Sequence, residues 1–537
     1  MIKNEKKFFW LVTAIVLIIL SLPPIISFYQ QLMTDNYYTG IDYIAGSDKT
    51  IYLSYMEQAK NGDWLFKNLY TSEPQTARLF SPLWLALGNV SRLFNISSLI
   101  IFQLFKIIFA GVFLYLIYNF ASLFFEKIWQ RRTAFLIILF SSGFGFFLLI
   151  NLIVTGRLEA LDIFQKASTD AWISESNIFL TILHSPLFIL SQILIVGVFW
   201  LFIKNLSKFN LKSGSLIFLL ILFLGFMHPY DLIIICAVIG VFCLMYFGQN
   251  KKIIWATLFN YLLVLIPSAI AVIYYLFIFN QEQSLGGWAV QNVIYSPPLI
   301  NYFLGYGLIF LFFIVGLLPT IRQVKNKYCL FILVWALTQL ALLYFPVSFQ
   351  TKLSNGLHLP LVIIACYGIF WLGGKMYKTG QYLIKTALLQ IVVLFLVITT
   401  TFNYGVNVYI SLRTVFPYYL DRNTYQAMLW LKTNQTDSQV VLANEKIGNI
   451  LPSITSHPVF IGHGHQTINW DQKLVEVNWF FNQNNGDQKK ESWLKNKSID
   501  YIFFGQQEKA AGTFQPLEKD YLELVYNNQE VQIFKVK

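Results

Sequence analysis

The chain has 537 residues, 56% of them hydrophobic and only 12% charged, where an ordinary soluble globule carries about 25% charged residues. That composition excludes a soluble enzyme and points to a polytopic membrane protein. A formal net charge of +12 would suit nucleic acid if the basic residues were clustered, but they are spread over short connections between apolar runs, so no nucleic-acid partner is expected.

Runs of about 20 apolar residues read as membrane helices. About eleven occur, over residues 8–28, 97–125, 133–154, 184–204, 214–228, 231–248, 253–279, 300–320, 328–346, 358–374 and 384–405. Lys3, Lys6 and Lys7 precede the first run, which is too long for a signal peptide and lacks a cleavage site, so it reads as a retained signal anchor. With the amino terminus cytoplasmic, every inner connection is basic: Lys127, Arg131 and Arg132; Lys204, Lys208 and Lys212; Lys251 and Lys252; Arg322, Lys325 and Lys327; Lys375, Lys378 and Lys385. The short outer connections offer only Arg157, Lys166 and Lys352, the asymmetry of the positive-inside rule. An odd number of spans puts the carboxyl-terminal region outside.

The first outer loop, residues 30–79, is too long and too rich in Tyr and carboxylates to be a mere connector. It is followed by a short apolar stretch, 80–94, that reads as an interfacial helix. Within the loop, helical spacing runs from Lys49 to Lys60, with Ile51, Tyr55 and Ala59 on one side, Asp48 at the N-cap and Asn61-Gly62 as the stop. From residue 406 the composition turns polar and the apolar runs shorten. Helix-like 424–433 and 471–481, strand-like 440–443, 458–462 and 501–505, and a hairpin at Asn527-Asn528 indicate a small α/β domain. The expected architecture is a transmembrane domain over 1–405 and an extracytoplasmic α/β domain over 406–537. Cys236, Cys243, Cys329 and Cys366 all lie in apolar segments, so no disulfide framework is expected.

Chemistry concentrates in the first outer loop, with Asp35, Asp42, Asp48, Glu57, Asp63 and Glu73. A carboxylate at the membrane surface serves as general base to a sugar or lipid hydroxyl within about 3 Å. Asp48 is the best placed, its alternative role being a helix cap. Glu73 stands in a turn fixed by Pro74, either aimed at the same cleft or simply solvated. His228 and Asp231 flank a two-residue turn, where they would ligate a metal, orient a substrate or bond to each other. His463 and His465 resemble a metal pair, yet two ligands without a nearby carboxylate or Cys cluster make a weak site. A Gly-rich polar loop is the plainer reading. Lys352 suits a lipid phosphate or a snorkelling anchor, with Arg78 and Arg157 as secondary candidates. There is no nucleotide-binding Gly-x-x-x-x-Gly-Lys and no Asp-x-Asp, so any activated donor should itself be a membrane lipid.

Asp48, Tyr52, Gly62-Asp63-Trp64, Glu73 and Pro82-Leu83 fall in the order seen in the first outer loop of GT-C superfamily glycosyltransferases, and this stretch resembles their aminoarabinose-transferase and protein O-mannosyltransferase-like branch. Lys49 stands where that branch has Glu. The resemblance implies transfer of a sugar from a polyprenyl-phosphate carrier to a glycan, lipid or protein acceptor on the outer face of a cell membrane. It also implies roles. Asp48 would take or orient the acceptor's proton, Glu73 would support the acceptor or a divalent metal ion, and Lys352 with Arg78 would stabilise the departing phosphate. Tyr52, Asp63, His228 and Asp231 complete the candidate substrate-binding set, and Asp48, Glu73 and His228 are the candidate ligands for a metal. The competing readings are a transporter or flippase of lipid-linked saccharides and an inactive envelope scaffold.

Overall fold

The computed structural model describes residues 3–43, 46–155, 168–377, 382–434, 438–484 and 486–537. Arg157, Lys166 and Lys378 lie outside them. Among the described residues, eight helices are long and apolar enough to cross a membrane: Asn4–Met33, Ser98–Ala121, Ile128–Val154, Pro186–Lys204, Asp231–Asn250, Trp255–Gln281, Gln350–Gly374 and Val392–Leu412. Leu299–Tyr306 and Leu308–Ile321 form a further span bent by 89°, and Leu211–Met227 and Lys327–Leu342 are apolar but shorter. Each predicted span falls on one of these helices, and the chain is a multi-pass, mostly helical membrane protein.

The chain packs as two compact units. The first comprises Met1–Leu22, Leu104–Ile273 and Val293–Asn407. Its bent span breaks at Gly307, whose φ of +49° lies in the left-handed region. A side chain there would meet Gly143 Cα at 2.9 Å, so two glycines let the backbones touch, and the Phe144 N–H donates to the Leu304 carbonyl at 2.8 Å. Backbone freed by a break in the membrane must be satisfied locally. Asp170 does the same for the facing segment. Its carboxylate accepts from the Gly143 N–H at 2.8 Å and from the Ser168 hydroxyl at 2.5 Å.

The second unit comprises Pro23–Gln103, Tyr274–Asn292 and Val408–Lys537. Strand β1 (Asn36–Tyr38) pairs antiparallel with β2 (Tyr419–Asp421), Tyr37 opposite Leu420. A second sheet has the order β3-β4-β6-β5, where β3 is Val441–Leu442, β4 Tyr501–Phe504, β5 Leu522–Asn527 and β6 Gln532–Val536. The β3–β4 pair is parallel and the other two are antiparallel. Successive strand residues point to opposite faces. Val441, Tyr501, Phe503 and Ile533 meet Ala427, Met428 and Leu431 of helix Arg422–Asn434 and Ile447, Ile450 and Leu451 of helix Glu445–Thr455. On the other face, Leu442, Ile502, Phe504 and Phe534 meet Val477, Phe480 and Phe481 of helix Trp470–Asn482 and Leu494 of helix Asp487–Asn496. A strand buried on both faces reads as a continuous apolar run, which is why Tyr501–Phe504 shows no polar alternation. The strand expected over 458–462 is reduced to a single bridge between Val459 and Val441.

Candidate functional site

The helix around Asp48 runs Gly46–Asn61. It begins two residues before the N-cap position expected for Asp48, which sits instead in the first turn. There a carboxylate is favoured by the helix dipole. Ile51, Tyr55 and Ala59 are buried as their spacing predicts, and Glu57 pins the helix by accepting from Ser98 Oγ and Lys432 Nζ, both at 2.6 Å. The helix packs on Pro82–Phe94, whose Trp84 stacks on the Tyr52 ring at 4.7 Å between centroids. Tyr52 is therefore part of an aromatic wall, continued by Phe102 beyond Trp84.

Asp48 meets a histidine. His463 Nε2 lies 3.1 Å from Asp48 Oδ1, with the imidazole buried and the carboxylate about a third exposed at 30%. The other ring nitrogen, Nδ1, accepts from the His465 backbone N–H at 3.2 Å. An imidazole nitrogen that accepts carries no proton, so Nε2 is the protonated nitrogen and donates to Asp48. The loop holding His463 is sewn to residues 68–71: Thr467 Oγ1 donates to the Tyr70 carbonyl at 2.7 Å, Asn68 Nδ2 to the Gln466 carbonyl at 2.7 Å, and the Ile468 N–H to Thr71 Oγ1 at 3.2 Å. The His463 ring also lies edge-on to Tyr70. The Gly462-His463-Gly464-His465 loop thus sets the His463 imidazole against Asp48. Among the described residues no three His, Cys, Asp or Glu side chains converge as a metal site would require.

Most other carboxylates of this loop meet cations. Asp35 pairs with Arg422, Asp42 with Lys49 and Glu57 with Lys432. Lys49, which replaces the acidic residue of the resembling branch, is almost fully buried. Glu73 is not a solvated turn residue: Lys473 Nζ sits 2.8 Å from its Oε1 and also donates to Thr71 and Ser72. Burial pushes the Lys473 ammonium down, against the opposing pull of Glu73. Asp63 follows the helix, exposed, with its N–H on the Gln58 carbonyl. Arg78 lies beside Thr76 and 3.8 Å from buried Glu282, which also accepts from the Thr76 N–H and hydroxyl. Burial opposes ionisation of Glu282, but these contacts bring its carboxyl below the ordinary range.

In the first unit, His228 and Lys352 both lie against the Phe188 ring, and Asp231 holds His228. His228 Nδ1 is 2.8 Å from Asp231 Oδ2, Ser191 donates its hydroxyl to the same oxygen, and Asn355 Nδ2 donates to Asp231 Oδ1 at 2.9 Å. The serine bonds to the carboxylate and not the imidazole, so this is not an activated nucleophile. Lys352 lies over the Phe188 ring and forms an ion pair with Glu175 at 2.6 Å. Glu175 is buried, which opposes its ionisation, yet Lys352 and further hydrogen bonds hold its carboxyl below the usual range. Sequence reasoning missed Glu175, Glu282 and Lys473, and undervalued His463.

No family model and no curated protein matches the chain. Solved structures do. The apo oligosaccharyltransferase of Archaeoglobus fulgidus shares 12% identity over 94% of this chain and 70% of its own, at a TM-score of 0.57. The same enzyme, AglB, in complex with an inhibitory peptide and a dolichol-phosphate shares 13% over 92% of this chain and 70% of its own, at 0.54. ArnT of Cupriavidus metallidurans bound to undecaprenyl phosphate gives 11% identity, 97% and 98% coverage and a TM-score of 0.49. At such identities the likeness is one of fold, and this chain has the GT-C fold.

Proposed function

We propose that this protein is a glycosyltransferase that moves a sugar from a polyprenyl-phosphate-linked donor to an acceptor on the extracytoplasmic face of a membrane. The observation that carries the reading is the Asp48–His463 pair: a part-exposed carboxylate in the first turn of a helix, held by a buried imidazole through a defined nitrogen. In transfer the acceptor's nucleophilic atom bonds to the anomeric carbon, its proton passes to Asp48, and the electron pair of the breaking C–O bond leaves on the lipid phosphate. His463 would fix the orientation of Asp48, Glu73 would support the acceptor through the position Lys473 gives it, and Arg78 is a candidate cation for phosphate. In the other unit Lys352 is the corresponding candidate, with Glu175 as the group a phosphate would displace; His228 and Asp231 would brace its neighbourhood. A divalent metal would have Asp48 and Glu73 as oxygen donors, although each already has a basic partner. The fold supports the reading, as do the dolichol-phosphate and the peptide bound by the archaeal enzyme of that fold.

The test is transfer of radiolabelled sugar from a polyprenyl-phosphate donor by purified protein in nanodiscs. Asp48→Asn should lower the rate by about 100-fold or more with an unchanged melting profile. His463→Gln, which keeps an N–H donor, should cost less than Asp48→Asn. Wild-type turnover by Asp48→Asn would remove Asp48 from the mechanism.

A further inference from the structure

The second unit contains a cavity of about 160 Å³ that opens at the surface, between the β1–β2 ribbon and the start of helix Gln506–Ala510. Its polar lining includes Asn36, Thr414, Thr424 and Gln507, and its apolar lining Phe416 and Phe503. We infer that this cavity is a binding site for one neutral sugar residue of a glycan, separate from the position of Asp48.

Size, charge and placement each support the assignment. A cavity of ~150 Å³ holds a benzene-sized ring, and because this one opens at the surface a single sugar ring can seat with part of its hydroxyl rim in solvent, whereas drug-sized ligands need about 300 Å³ or more. No Lys, Arg or His lines it, so it offers an anion no counter-charge. Its one carboxylate, Asp421, accepts from the Thr424 N–H at 2.8 Å and the Thr424 hydroxyl at 2.6 Å, which leaves it committed to the local backbone rather than to a cation. Amide and hydroxyl groups beside aromatic rings suit a ligand with hydroxyls on its rim and C–H bonds on its faces. An apolar ligand would instead strand those polar groups, at about 1–3 kcal/mol each. The separation from Asp48 follows from helix geometry. Ile447 lines the cavity, while Asn449 of the same helix accepts from Thr50 Oγ1, two residues after Asp48. Two positions along a helix are rotated by about 200°, so the cavity and the Asp48 helix lie on opposite sides of Glu445–Thr455.

The assignment does not depend on catalysis, and its test is binding. Saturation-transfer NMR on the full-length protein in nanodiscs would use glucose, galactose, mannose and N-acetylglucosamine as neutral probes, glucuronic acid as the charged one and a neutral tripeptide as the non-sugar one. At least one neutral sugar should bind at millimolar concentration and glucuronic acid should not. Gln507→Ala and Thr414→Ala should each weaken binding about three- to tenfold without changing the melting profile, and Asp48→Asn should leave it unchanged. Loss of binding in Asp48→Asn would place the sugar at the loop helix and overturn the inference. Equal binding of glucuronic acid, binding of the peptide alone, or binding of no neutral sugar would overturn it as well.

Discussion

Replacing Lys352 with methionine would leave the Glu175 carboxylate, 4% exposed, without its cation, while the lysine it now faces is 20% exposed. At 2.6 Å and an effective dielectric constant near 20, the attraction is about 6 kcal/mol, a gain largely offset by the cost of desolvating both charges. The pair as a whole therefore adds little, but breaking it from the lysine side should cost about 3 kcal/mol, because the buried charge would keep the Ser174 hydroxyl at 2.9 Å, its own backbone N–H and His184 but lose its lysine. Glu175→Gln should cost about 1 kcal/mol, since the more exposed Lys352 can turn toward water. The double variant should match Glu175→Gln alone, a coupling of about 3 kcal/mol. Thermal melts in nanodiscs measure the series. Acid gives a second reading: a carboxyl held below its ordinary value stabilises the fold above the unfolded value near 4.5 and loses that contribution as pH falls through the folded one. The wild type should therefore lose more stability over that acid range than Lys352→Met does. Equal costs for the two single variants, or a double variant equal to their sum, would refute the reasoning.

Lys490 tests buried charge elsewhere. Its ammonium donates to the carbonyls of Phe480, at 2.7 Å, and Gln483, beneath the Phe514 ring, and burial pushes it down to about 8 from 10.5. The folded state then binds fewer protons than the unfolded one between those values, so stability should rise from pH 8 to pH 10, by about 2 kcal/mol. Lys490→Met should lack that rise in matched melts. Gly88 tests the seat of the Asp48 helix, because an added Cβ would stand 2.4 Å from Ala59 Cβ and 2.5 Å from the Met56 carbonyl. Gly88→Ala should cost about 1–3 kcal/mol and reduce sugar transfer, and adding Ala59→Gly should restore part of both; no loss on melting would show that the two helices have room to spare.

The helices were legible because a bilayer imposes one long apolar signal on each span. The break at Gly307 was not, since Leu299–Tyr306 and Leu308–Ile321 form one uninterrupted apolar run around a residue whose φ alone turns the chain. Asp48 stood out through local pattern, its place at the head of a periodic stretch. Its partner did not, for His463 lies 415 positions away, and Lys473 and Glu175 sit 400 and 177 positions from Glu73 and Lys352. A charged side chain reads as solvated until its long-range partner is known. The buried β4 carried a clear signal, whereas the segment at 458–462 had the composition of a strand without an edge to join for more than one bridge.

The ribbon that joins Asn36–Tyr38 to Tyr419–Asp421 imposes an order on synthesis. A nascent chain that has reached Leu412 has already emitted every apolar helix, yet the imidazole for Asp48 is still to come. At roughly 5–20 residues per second, the 415 positions between them amount to roughly 20–80 s during which the loop helix must wait. For most of that interval the first carboxylates to emerge have neither the ribbon's second strand nor the cation of Lys432, and Lys473 follows only after His463.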